Sequence, residues 1–388
     1  MRREELIALA LCVALGASCA SPMPEAAGTT VGRGSVALLR APGGGIQPQA
    51  AVDARGALHL IYFAGRPEAG DIFYVRREAG AESFSAPARV NSQPGSAIAV
   101  GTIRGAQLAL GRDGRAHVAW MGSPDAAPRG PGGAAPMLYA RSDNAGTGFE
   151  PQRNLMRFAA GLDGGGTVAA DGRGRVYVAW HANGKQEGEA HRRVWVARSE
   201  DEGRSFAPEA DAFAEETGAC GCCGMRALAD GGGTVNLLYR AATDEVNRDM
   251  FLLASKDYGR SFDGARLHPW RLDACPLSTA ALAEGRGGVI SAWETNGQIY
   301  FAAAGSAPTA APGEGGGRKH PSVAVGARGD MLLVWTEGTG WQKGGSLAWQ
   351  LYDGQGKPSG EKGTAPGVPV WGLATAVAGA DGGFTIIY

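Results

Sequence analysis

The chain has 388 residues and a formal net charge of −1. That balance lacks the basic excess of a nucleic-acid-binding surface, and no Lys/Arg run forms a polybasic membrane patch. Its 63 glycines follow no G-X-Y period and are too many for a helix-rich protein, so tight turns joining short strands are expected.

At the N-terminus Arg2 and Arg3 precede an apolar run over 6–15, too short for a stable membrane anchor. The following "LGASC" ends in Cys19 and resembles a bacterial lipoprotein signal. Leu15 stands four residues before the cysteine where that pattern has three, so ordinary signal-peptide cleavage is the alternative. The resemblance implies a signal over 1–19, lipidation at Cys19, a flexible tether over 20–33, and a place on the cell envelope. There the membrane is touched only through lipid.

From residue 34 onward one pattern repeats. "QAAVDARGALHLIYF" (49–63), "QLALGRDGRAHVAWM" (107–121) and "TVAADGRGRVYVAWH" (167–181) each read as strand, glycine turn and alternating strand. Four more copies start near 225, 279, 322 and 375. A second strand pair lies between hairpins, as in "VWVARSEDEGRSFAPE" and "FLLASKDYGRSFDG". Four strands per repeat predict the blades of an all-β propeller over 34–388, packed around an axis because one blade cannot bury both faces. Seven hairpins predict seven blades, or six if the terminal pieces merge. "GSVALLR" (34–40) is placed to pair with the last hairpin and close the ring.

"SEDEGRSF" (199–206) and "SKDYGRSF" (255–262) match the Asp-box pattern S-x-D-x-G-x-[ST]-[FW], and "SDNAGTGF" (142–149) is a degraded copy. On these motifs the chain resembles the sialidase-like, Asp-box propeller superfamily. Ser199, Asp201, Gly203 and Phe206, with Ser255, Asp257, Gly259 and Phe262, are then structural: the carboxylates tie the turn and the aromatics plug the gap between sheets. The family's boxes lie on the face opposite its active site. The long loops of the other face carry most of the reactive side chains, and loops on a rigid scaffold commonly carry function.

The resemblance implies an exo-sialidase arrangement: arginines for a sugar carboxylate, a Tyr nucleophile with a Glu partner, and an Asp acid/base. The positions offered are Arg104, Arg226, Asp163, Tyr239 and Glu294, with Arg248 and Arg318 as further arginines. The family's early Arg-Ile-Pro motif is absent, and Tyr239 has no Glu partner by spacing. A binding protein needs fewer of these features. Arg248, Asp249, His320, Trp341 and Trp371 are its candidate contacts to a glycan or other extracytoplasmic ligand, with no cofactor required and a monomer expected.

Export leaves Cys220, Cys222, Cys223 and Cys275. An even number in an oxidising compartment points to disulfides, with a cluster cysteine bridged to Cys275. If the thiols stay reduced, a soft-metal site for Cu or Zn is the alternative, and a redox role a third.

Overall fold

A computed structural model describes residues 34–143 and 148–388. The signal, Cys19, the tether and the centre of the degraded Asp-box lie outside the described residues. Seven sheets surround one axis, six with four antiparallel strands in sequence order and one with three. The innermost strands are Ile46–Val52, Gln107–Leu110, Thr167–Ala170, Arg226–Ala229, Ala281–Gly285, Arg318–Val325 and Thr375–Ala378. No α-helix occurs among the described residues.

The terminal pieces join in one blade, and that blade is the seventh, so the six-bladed alternative falls. Thr375–Ala378 and Phe384–Ile387 form its hairpin, and Val36–Leu39 adds the third strand. That closing strand runs parallel to Phe384–Ile387, with Val36 opposite Phe384 and Leu39 opposite Ile387. Blade five keeps a fourth strand of two residues, Thr309–Ala310.

The first hairpins of blades one, three and four turn on an aspartate whose carboxylate accepts N–H groups two and four residues on. Asp53 accepts from Arg55 and Ala57, and Asp171 from Arg173 and Arg175. Such Asx turns need only local sequence, which is why "DARG" and "DGRG" recur. The core then lies between blades. Met137, Tyr139, Val178 and Trp180 fill the gap between blades two and three, and Trp120 and Trp293 are equally buried in other gaps. Alternation along the second and third strands puts these large side chains against the next sheet.

The Asp-boxes close their turns in the same way. Ser205 N and Oγ donate to Asp201, at 2.9 and 2.7 Å, and Gly203 N donates to Ser199 Oγ at 2.8 Å. Ser255, Asp257, Gly259 and Ser261 repeat this arrangement. Phe206 meets Tyr139 edge-on at 4.9 Å, and Phe262 packs into the cluster between blades three and four. Glu202 N donates to Gly174 O at 2.7 Å, so the box shares a face with the first-hairpin turns. The long loops occupy the opposite face.

Candidate functional site

The long loops are knitted together by ion pairs. Arg104 donates through Nη2 to Asp163 Oδ1 at 2.9 Å and through Nε to the Asp163 carbonyl at 2.7 Å. Arg192 lies 3.5 Å from the other Asp163 oxygen and 3.2 Å from Glu189. Glu189 also accepts from Arg248 at 2.6 Å and from Gly221 N at 2.7 Å. One chain of charges therefore runs from the loop of blade two to the cysteine loop and the blade-four loop behind it. Asp249 does a different job: its carboxylate accepts Trp270 N at 2.9 Å and lies 3.4 Å from Arg266.

Arg104, Arg248 and Arg318 each hold a carboxylate of the protein, Arg318 through Glu337 at 3.2 Å. Tyr239 is 1% exposed, bonded to Thr217 Oγ1 at 2.6 Å, and burial pushes its phenol up to about 12. Its side chain points into the core between blades three and four. Glu294 lies in blade five, buried, with burial raising its carboxyl and its Oε1 taking Gly297 N at 2.6 Å. Tyr239 and Glu294 are not brought together.

Arg226 stands apart from this network. It lines the upper end of an axial channel of about 430 Å³, walled by the seven inner strands and rich in alanine. No carboxylate pairs with it among the described residues, and burial pulls its guanidinium down to about 10. His320, Leu277, Trp371 and Trp341 crowd together at the loop face. Burial, with Lys319 and Arg226 nearby, holds His320 neutral with a pKa of about 3.

The two tryptophans differ. Trp371, a candidate ligand contact, is buried at 7%, because its loop turns inward with φ of 61° and its carbonyl is held by Gln47 Nε2 at 2.9 Å. Trp341 is 55% exposed. Trp371 meets its ring edge-on, at 4.7 Å and 78°. A Cβ on Gly101 would fall 3.5 Å from the Trp341 ring and 2.8 Å from Arg104 Nη1, so the indole lies over the loop that carries Arg104.

Cys220, Cys222 and Cys223 are buried free thiols, and Cys275 is an exposed one. No sulfur–sulfur bond joins them. Instead Cys220 Sγ lies 3.3 Å from Cys222 Sγ and 3.2 Å from Cys223 Sγ. The three sulfurs lie close enough to hold one metal ion. Cys275, on the neighbouring blade's loop as adjacency implied, interacts with Cys222. Sequence reading missed Glu189, Arg192, His181 and Arg240. Only the first two carried a signal, the charge-dense "GKQEGEAHRR" loop.

No family model and no curated protein matches the chain. Solved structures do. An α-L-arabinanase from Penicillium chrysogenum, complexed with arabinobiose, is 12% identical, with 80% of this chain and 94% of that one covered and a TM-score of 0.52. A Hadza microbial sialidase is 14% identical, with 83% and 74% covered and a TM-score of 0.50. At such identity the likeness is one of fold. By fold, the chain is a seven-bladed β-propeller.

Proposed function

We propose that the protein binds a carbohydrate-type ligand at the loop face of the propeller, outside the cytoplasm, and does not hydrolyse it. The observation that carries this reading is Trp341, left 55% exposed yet braced edge-on by Trp371. A large aromatic fixed in place and open to solvent gives a stacking surface at little entropic cost. Beside it, Arg104, Asp163 and Arg192 form an ion-pair cluster in which the Asp163 side chain is 46% exposed. These groups supply polar contacts to hydroxyls or a carboxylate. The fold shared with an arabinanase and a sialidase supports a sugar as ligand class, and the N-terminal signal supports an envelope location.

The test is a panel of immobilised neutral and acidic oligosaccharides, with sialyllactose hydrolysis followed in parallel. Wild type is expected to retain a subset of the panel and Trp341→Ala to lose at least tenfold in affinity. No free sialic acid is expected. Retention unaffected by Trp341→Ala, no retention of any glycan, or steady sugar release would each overturn the reading.

A further inference from the structure

The three clustered thiols take no part in that surface, and the chain holds them with some care. Cys220–Cys223 is a tight turn closed by Cys223 N donating to Cys220 O at 3.3 Å. Gly221 between the first two cysteines leaves room for the ion-pair network of the loops: a Cβ there would fall 2.1 Å from Arg192 Nη1 and 2.6 Å from Asp163 Oδ2, so those side-chain ends would have to move. Cys220, Cys222 and Cys223 are 1%, 8% and 3% exposed, with Ala242 and Leu277 packed on them. A strap from the next blade covers this loop. Leu272 N donates to Val246 O at 2.8 Å, Arg248 N donates to Trp270 O at 2.6 Å, and Gly224 N donates to Ser278 O at 3.0 Å.

Two further observations point to a ligand. His181 is 1% exposed, and the Cys223 backbone lies against its ring, short of good hydrogen-bond geometry. A buried imidazole without a good hydrogen bond is costly unless something else engages it. Two guanidiniums also face the sulfurs. Arg240 faces Cys223, and Arg248 faces Cys220 and Cys222. Positive charge aimed at a set of thiols stabilises thiolates, the form that binds metal.

We propose that Cys220, Cys222 and Cys223 form a three-coordinate site for Cu(I). Thiolates select soft ions. Structural zinc takes four ligands in a tetrahedron, whereas here three sulfurs lie within 4.8 Å of one another and Cys275 is outside that group. With metal–sulfur bonds of about 2.3 Å, ligating sulfurs in a plane stand roughly 4 Å apart, so the sulfurs need only small outward shifts. On binding, the three S–H groups release three protons, three S–Cu bonds form, and copper stays Cu(I) with no electron transferred. Cys275, exposed and in touch with Cys222, is placed as the thiol through which the ion enters.

The test uses the reduced full chain under anaerobic conditions, titrated with Cu(I) held by bathocuproine disulfonate. One equivalent of Cu(I) is expected to leave the chelator, and an excess of Zn(II) not to displace it. Cys220→Ser and Cys222→Ser are each expected to weaken binding at least tenfold, and Cys275→Ser to keep the affinity. If the serine variants misfold, iodoacetamide labelling of wild type decides, with Cu(I) expected to protect the three cluster thiols. No copper withdrawn, copper lost with Cys275→Ser but kept by folded cluster variants, displacement by Zn(II), or cluster thiols equally reactive with and without Cu(I) would overturn the proposal.

Discussion

Tyr139 shows how much one buried side chain decides. Its hydroxyl is 2.7 Å from His117 Nδ1, and a Cβ on Gly203 would fall 1.9 Å from the same oxygen. Gly203 also has φ of 74°, which an L side chain adopts at a cost of about 1–2 kcal/mol. Gly203→Ala is therefore expected to destabilise the fold by more than that, read as a lower midpoint in chemical denaturation. An unchanged midpoint would contradict the packing described. His117 makes a pH prediction. Burial first, then the Arg115 and Arg141 guanidiniums, pull it to about 3, while an unfolded imidazole titrates near about 6.5. Between those values the unfolded chain binds a proton that the folded chain refuses. Stability therefore falls as pH drops through that window, by up to ~1.4 kcal/mol per unit from this group. Denaturation from pH 7 to 4 is expected to show a shallower acid loss for His117→Gln than for wild type, and equal slopes would contradict it.

The cysteine loop belongs to the scale of elements. Gly221→Ala is expected to push Arg192 and Asp163 away and to loosen the turn, raising the alkylation rate of the buried thiols at least tenfold. An unchanged rate would mean the turn does not depend on that close approach. The Asp-boxes and the "DGRG" turns were legible in the sequence because their chemistry closes within five residues. The site network was not. Arg104, Asp163, Glu189 and Arg248 meet across loops of three blades, and no local pattern encodes which loops face each other. Tyr239 reads from its place at a strand end as reaching the loop face, but strand alternation turns it into the gap between sheets. Trp371 and Trp341 look alike in sequence, and only the inward turn of one loop buries the first. The adjacency of Cys275 and the cluster was readable, since neighbouring blades place equivalent loops side by side. Its free state was not, because an even cysteine count cannot tell paired sulfurs from a shared ligand.

At the scale of the whole molecule, seven hairpins pointed to seven blades with six left open by the terminal pieces, while the direction of the closing strand was hidden. Val36–Leu39 lies parallel to its partner, backed by Ala41 N to Tyr388 O at 3.0 Å and by Arg40 at 3.8 Å over the Tyr388 ring. Deleting residues 34–41 leaves blade seven as a hairpin. It is expected to destabilise the ring by roughly 3–6 kcal/mol, on about 1 kcal/mol per hydrogen bond plus the half-buried side chains. Calorimetry showing the same melting temperature would mean the ring is held without its closing strand. The ring matters to function because it sorts side chains onto two faces, the loops with Trp341 on one and the Asp-boxes with Arg204 on the other. The most direct measurement is therefore a tryptophan-fluorescence titration with an oligosaccharide retained from the panel, on wild type, Trp341→Ala and Arg204→Ala. Binding lost in Trp341→Ala and intact in Arg204→Ala is the expected result. Binding kept by Trp341→Ala, or lost in Arg204→Ala, would contradict the placement of function on the loop face.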